Sequence, residues 1–85
     1  MATRELVAFM ADEDSNIRWL AGSSLLHRAG ADTVAALTAF LNRAEPERVE
    51  QMRAEALRIL DLIAETAAEE VVRQAANEAL STLRG

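Results

Sequence analysis

The sequence has no cysteine, no lysine and no tyrosine, and only one proline and one histidine. Without cysteine, the chain can form no disulfide, thiolate nucleophile or cysteine-based metal site. Without lysine, it has no amine for a Schiff base or for the phosphate-binding loop of nucleotide hydrolases. A single histidine cannot build a multi-histidine zinc site within one chain. These absences predict a protein without a metal or another cofactor.

Long apolar runs and an excess of positive charge are also missing. No stretch approaches the roughly 20 apolar residues that a membrane-spanning helix needs, and the N-terminal segment MATRELVAFMADED lacks the pattern of a secretory signal. The net charge is −5 at pH 7, which disfavours binding to the phosphate backbone of nucleic acids. We therefore expect a cytoplasmic protein that binds neither membrane nor nucleic acid.

What the chain does have is a composition typical of a small helical domain. Its 85 residues are 51% hydrophobic and 27% charged, a balance that suits a folded globular protein. Glycine and proline are scarce, and no segment alternates β-branched or aromatic residues with polar ones as a strand would. The prediction is a single all-α domain over residues 1–85.

Capping residues divide the chain into five predicted helices. The first runs from Thr3 to Ala11, the second from the turn DEDSN to Ala29, and the third from Thr33 to Arg43. The fourth runs from Pro46 to Glu65, and the fifth from a capping box at Thr66–Glu69 to Arg84. Asp14 or Ser15 is the predicted cap of the second helix, and Asp32 that of the third. Gly30 is the predicted left-handed C-cap of the second helix. The boundary at Glu65–Thr66 stays open, since the last two helices could form one long, bent helix.

Three segments of the chain resemble one another when they are aligned without gaps. They are IRWLAGSSL from Ile17, MRAEALRIL from Met52 and VRQAANEAL from Val72. Each begins with an apolar residue followed by arginine, and each has alanine at the fifth position and leucine at the ninth. Positions one, five and nine share one stripe of a helix, and a small fifth residue lets a neighbouring helix approach closely. The alanines, Ala21, Ala56 and Ala76, are therefore predicted to be buried between helices.

This pattern resembles the HEAT-like repeat, in particular the short bacterial repeats of the phycobilin-lyase type. DEDSNIRWLAGSSLLHRAG followed by ADTVAALTAFL fits one whole repeat, RELVAFMADED the second helix of a preceding repeat, and EPERVEQMRAEALRILDLIAE the first helix of the next. The resemblance implies a short stack of helical hairpins, an α–α superhelix fragment, that acts as a protein–protein interaction module or scaffold. It also implies two alternatives, an accessory or lyase-like role on a chromophore protein and the binding of nucleic acid.

The spacing of the three segments departs from a regular repeat. Arg18 and Arg53 are 35 residues apart, enough for two helices, whereas Arg53 and Arg73 are 20 apart, which leaves room for one. We therefore count about two repeats and a flanking helix, fewer than the three or more that such stacks usually need. The expected partner is a second copy of the chain, which would cover the exposed ends of a short stack, or a protein with a basic patch. Whether the chain is part of a longer array stays open.

The repeated arginines have an expected structural role. Asp14 lies four residues before Arg18, and Glu69 lies four residues before Arg73, which is the favourable order for an ion pair on a helix. The other expectation is that the arginines bond to acidic side chains or to helix-end carbonyl groups in the neighbouring repeat.

The stretch Gly22-Ser23-Ser24, followed by His27, has the ingredients of a serine nucleophile beside its base. A nucleophile elbow needs a strand-to-helix turn and flanking glycines, and the sequence has neither this motif nor the strand. The repeat alignment places Ser23 opposite charged residues, on a solvent-facing side. We therefore predict that the chain is not an enzyme and has no catalytic residue.

Trp19 and Leu26 are the predicted interaction anchors. Both lie on one face at the margin of the apolar stripe of the second helix, and tryptophan is enriched in the energetic centres of protein interfaces. The alternative is structural, because Trp19 could cover the first helix by packing on residues such as Leu6 or Phe9.

Overall fold

The computed structural model describes residues 2–28 and 30–85, and its regular elements are all α-helices. They are α1 (Thr3–Phe9), α2 (Ser15–Leu26), α3 (Ala31–Arg43), α4 (Pro46–Thr66) and α5 (Glu70–Arg84). The predicted all-α fold with five helices is confirmed. Helix α4 ends within one residue of the predicted boundary at Glu65–Thr66, so α4 and α5 are two helices and not one bent helix.

The helices form a short stack of hairpins that measures 34 × 27 × 17 Å. Helix α1 packs against α2, and α4 packs still more extensively against α5. Helix α3 joins these two hairpins by packing against α1 and α5, while α2 packs against α4. The consecutive helices α2 and α3 share at most a marginal contact among the described residues. The closely packed hairpins are thus α1–α2 and α4–α5, whereas the sequence resemblance had paired α2 with α3.

The repeated alanines lie in the core. Ala21, Ala56 and Ala76 are all buried, as predicted, and so are the leucines four positions after each of them. The largest fully buried side chains are Met10, Leu25, Leu37, Met52, Ile59, Leu60 and Ile63. Removing a side chain of this size from water stabilises the fold by about 1.5–3 kcal/mol. These side chains come from α2, α3, α4 and the end of α1, and they belong to one continuous core that joins the two hairpins.

The turns within the two hairpins have the same construction. Arg18, the fourth residue of α2, donates from Nη1 to the carbonyl oxygens of residues 12 and 13 at 2.8 and 3.0 Å. Arg73, the fourth residue of α5, donates from Nη1 to the carbonyl oxygens of residues 67 and 68 at 2.6 and 3.1 Å. Each guanidinium thereby satisfies two carbonyl groups of the turn that precedes its helix.

Arg53 does not share this role, although the sequence alignment made it equivalent to the other two. It lies in the second turn of α4 and donates to the carbonyl oxygen of Leu83, in the last turn of α5. The ion pairs predicted for Arg18 with Asp14 and for Arg73 with Glu69 are not among those formed by the described residues. The guanidinium groups turn to backbone carbonyl groups instead. Those bonded by Arg18 and Arg73 lie in the turn before the arginine's own helix, and the one bonded by Arg53 lies at the end of α5.

The N-cap predicted for α2 is confirmed, and the predicted C-cap is wrong. Asp14 is the N-cap, and its carboxylate accepts a hydrogen bond from the backbone N–H of Asn16 at 2.8 Å. The helix ends at Leu26, while Ala29, its predicted last residue, lies outside the described residues. Gly30 is not a left-handed C-cap, because its backbone is extended and it serves instead as the N-cap of α3.

The two later cap predictions are wrong. Asp32 lies inside the first turn of α3 and forms no side-chain cap. The Thr66–Glu69 capping box does not form, because Thr66 is still helical and its hydroxyl donates to the carbonyl oxygen of Leu62 at 2.7 Å. Glu69 is the N-cap of α5 by position, without a side-chain hydrogen bond.

Candidate functional site

An apolar groove of about 310 Å³ lies between α1 and α2. Its walls are formed by Leu6, Phe9, Ile17, Leu20, Ala21 and Ser24, and we call it the α1–α2 groove. Three of its bulky side chains are partly in solvent: Phe9 is 39% exposed, Ile17 37% and Leu20 57%. Leu6 and Ala21 form a buried floor that continues into the core. Bulky apolar side chains clustered beside one depression are typical of a surface that another molecule covers.

The sequence pattern concealed two of these residues. Ile17 occupies the first position of the repeat segment, on the stripe where Met52 and Val72 are buried, and the pattern alone gives no reason for its exposure. Leu20 aligns with Glu55 and Ala75, a position without a consistent polarity. One of the related segments has a glutamate, Glu55, at the position of Leu20. That glutamate is the signal in the sequence that could have identified Leu20 as an exposed apolar residue.

The structure places the two predicted anchors away from this groove. Trp19 is 56% exposed, and the residues of α2 that share a groove with Leu6 and Phe9 are Ile17, Leu20 and their neighbours, not Trp19. Leu26 is half-buried and packs against the core. The exposure of Trp19 suits a residue that contacts a partner, and its role as an anchor stays a prediction.

Ser23 and His27 lie one helical turn apart in sequence, at the C-terminal end of α2. His27 is the C-cap of the helix and is exposed, and Ser23 is half-buried. No hydrogen bond joins the two side chains in the described part of the chain. Their arrangement is that of two polar residues near a helix end.

A second, larger groove of about 490 Å³ lies between α3 and α5. Its α3 side is lined mainly by small side chains, among them Ala31, Ala35 and Ala39. On α5 it is lined by Val71, which is 72% exposed, together with Val72 and Ala75. This surface has one exposed bulky apolar residue where the α1–α2 groove has three, so it offers less apolar side chain for a partner to bury.

Among residues 2–28 and 30–85, no three histidine, aspartate or glutamate side chains converge as metal ligands would. None of the helices in the described chain combines the length and apolar character that crossing a membrane requires. Comparisons of the chain with protein-family models, with curated proteins and with solved structures gave no match.

Proposed function

We propose that this chain is a small protein-interaction module built of HEAT-like helical hairpins, with no catalysis of its own. The observation that carries the proposal is the α1–α2 groove, where Phe9, Ile17 and Leu20 leave more than a third of their surface in solvent. Covering these side chains with a partner would remove apolar surface from water, which is the main driving force of protein association.

The packing of the helices supports the HEAT-like part of the proposal. Helices α1, α3 and α5 pack in a row, and α2 packs against α4. Buried alanines on α2, α4 and α5 allow the close helix approach on which stacked hairpins depend. The matching Arg18 and Arg73 turns show that two of the hairpins are built alike. Such stacks present extended surfaces that act by binding.

The use of the arginines supports a protein partner over nucleic acid. Arg18, Arg43, Arg48, Arg53 and Arg73 donate to backbone carbonyl groups, and Arg58 and Arg84 pair with carboxylates. Guanidinium groups engaged by their own chain are poorly placed to neutralise phosphates, and the net charge of −5 would repel a nucleic acid.

A capture experiment with matched variants tests the proposal. The wild-type chain, Leu20→Gln and Val71→Gln are immobilised, exposed to a lysate of the source organism, and their bound proteins are quantified by mass spectrometry. Both substitutions replace an exposed aliphatic residue with glutamine, but only Leu20 lines the α1–α2 groove. We expect at least one protein to be lost by Leu20→Gln and retained by Val71→Gln.

The same experiment can contradict the proposal or relocate the surface. If the wild type, Leu20→Gln and Val71→Gln bound identical sets of proteins, the α1–α2 groove would no longer support the proposed function. A Trp19→Gln chain tests the predicted anchor separately, because Trp19 does not line the groove. Circular dichroism of each variant checks that a lost partner does not reflect a lost fold.

A further inference from the structure

We infer that the α1–α2 groove receives one amphipathic α-helix of another protein, whose apolar face is flanked by arginine or lysine. The inference rests on the proposed function and specifies the partner. It is carried by the length of the groove, its position on α2, its nearly apolar lining, and the carboxylate of Glu5 beside it.

The length of the groove matches the apolar face of a helix. On α2 its lining extends from Ile17 to Ser24, seven positions apart, which corresponds to about 10 Å along a helix axis. Helices that dock in grooves use anchors at positions i, i+3 or i+4, and i+7, and these span the same distance. A helix lying along the groove can therefore place three anchors against Leu6, Phe9 and Leu20.

The position of the groove suits a helix as well. Gly22 faces α4, where Glu55 lies against it, and Leu20 lies about 160° away around α2. Helix α4 thus covers one side of α2 and leaves the other side open. A helix in the groove would lie on α2 across from α4 and would also contact α1, so α2 would pack between two helices.

The lining of the groove does not favour a small polar ligand. Sites for small molecules combine apolar walls with a few converging polar groups that fix the orientation of the ligand. In the α1–α2 groove, Ser24 contributes the one polar side chain among the six lining residues. Apolar side chains of a protein partner need no such polar groups, so the groove suits them better.

The charges around the groove favour a basic partner. Glu5 is exposed and lies one turn before Phe9 on α1, so its carboxylate stands at the edge of the groove. Glu5 takes part in no ion pair among the described residues. The whole chain carries a net charge of −5. Complementary charge at the rim of an apolar site steers the approach of a partner and sets its specificity.

The same charges disfavour a second copy of the chain as the occupant. Two copies of the chain each carry a net charge of −5, and each has the exposed carboxylate of Glu5 at the edge of its α1–α2 groove. Like charges placed opposite each other across an interface oppose association. A helix with basic flanks meets the same carboxylate with attraction.

Three synthetic peptides test the inference by fluorescence anisotropy. Each is about 18 residues long, roughly five helical turns, and carries the same leucine anchors at i, i+4 and i+7. The positions beside the anchors are lysine in the first peptide, glutamine in the second and glutamate in the third. We expect the lysine peptide to bind at least about tenfold more tightly than the glutamate peptide at low salt, and raising the salt to about 0.5 M to narrow this ratio.

Variants of the chain assign the binding to the groove and its rim. We expect Leu20→Gln to weaken the binding of all three peptides, and Val71→Gln to change none of them. Glu5→Gln should weaken the binding of the lysine peptide by about twofold or more and leave the binding of the glutamine peptide unchanged. Sedimentation equilibrium of the wild-type chain should give a monomer.

Each contrary result has a defined meaning. Equal affinity of the three peptides, lost in Leu20→Gln, would overturn the basic partner and leave the proposed function standing. Binding of the lysine peptide that survives Leu20→Gln would overturn the groove as its site. A dimer that dissociates in Leu20→Gln would show that a second copy is the occupant. Absence of binding by all three peptides would overturn the helix, while the capture experiment still tests the proposed function on its own.

Discussion

Glu55 of α4 lies against Gly22 of α2, and a Cβ atom added to Gly22 would stand 2.9 Å from Oε2 of Glu55. Gly22 is buried in the middle of a helix, where glycine costs about 1 kcal/mol relative to alanine. A glycine in such a place lets another part of the chain approach the helix closely. The structure shows a side chain in that place. Its buried Oε2 atom lies 3.8 Å from Nη2 of Arg58 and has no hydrogen-bond partner in the described chain.

Gly22→Ala should therefore depend on Glu55. In a Glu55→Ala background, we expect Gly22→Ala to stabilise the protein by about 1 kcal/mol, because only the gain in helix propensity remains. In the wild-type background the gain should be smaller by about 0.5 kcal/mol or more, since the carboxylate must move away. Urea denaturation of the four chains of this cycle measures the coupling, and equal effects in both backgrounds would contradict the contact.

Arg73 should stabilise the turn between α4 and α5. Arg73→Gln removes a charged donor from two carbonyl groups, and we expect a loss of about 1–2 kcal/mol, since water can reach part of this turn. Arg4→Gln is the matched control, because Arg4 is exposed and makes no hydrogen bond or ion pair within the described residues. The control should change the free energy of unfolding by less than about 0.5 kcal/mol. Equal losses of unfolding free energy in Arg73→Gln and Arg4→Gln would refute the stabilising role of Arg73 in this turn.

Ala56 should tolerate no larger side chain. It is fully buried on α4, in the row of small residues that the three related segments share. Ala56→Leu should destabilise the protein by about 1–3 kcal/mol, because the extra carbons force neighbouring helices apart. Ala54→Leu, on the exposed side of the same helix, should be nearly neutral in a thermal unfolding experiment. If Ala56→Leu and Ala54→Leu both unfolded at the same temperature as the wild type, the packing of α4 described above would be wrong.

Substitution of Leu25 should destabilise the protein strongly, whereas substitution of Leu20 on the same helix should hardly change its stability. Leu25 is fully buried, so Leu25→Ala should cost about 2–5 kcal/mol through lost burial and a residual cavity. Leu20 is 57% exposed, and Leu20→Ala should change the free energy of unfolding by less than about 0.5 kcal/mol. Chemical denaturation compares the two. A large loss for Leu20→Ala would mean that Leu20 supports the fold and is not kept for a partner.

Features that depend on neighbouring residues could be predicted from the sequence, whereas features that depend on other parts of the chain could not. The start of α4 at Pro46 and the Asp14 cap of α2 were predicted correctly, because a proline ring and a capping carboxylate act within a few residues. The prediction at Gly30 failed, because the carbonyl oxygen of Arg28 accepts from the Thr33 hydroxyl at 3.1 Å and α3 begins directly after Gly30. The capping box at Thr66 failed, because Thr66 still belongs to α4, where its hydroxyl donates to the carbonyl oxygen of Leu62 and caps no N–H group of α5.

By itself, the sequence determined that the chain is helical, where its five helices lie to within a few residues, and that Ala21, Ala56 and Ala76 are buried. These follow from periodicity and local capping, which are properties of neighbouring residues. Only the tertiary structure decided which edges of each apolar stripe are covered. Helix α4 covers the Gly22 side of α2, whereas no helix covers Leu20 on the opposite side. The reason is physical: a hydrophobic pattern specifies which side of a helix avoids water, but the width of the buried stripe depends on how closely its neighbours approach.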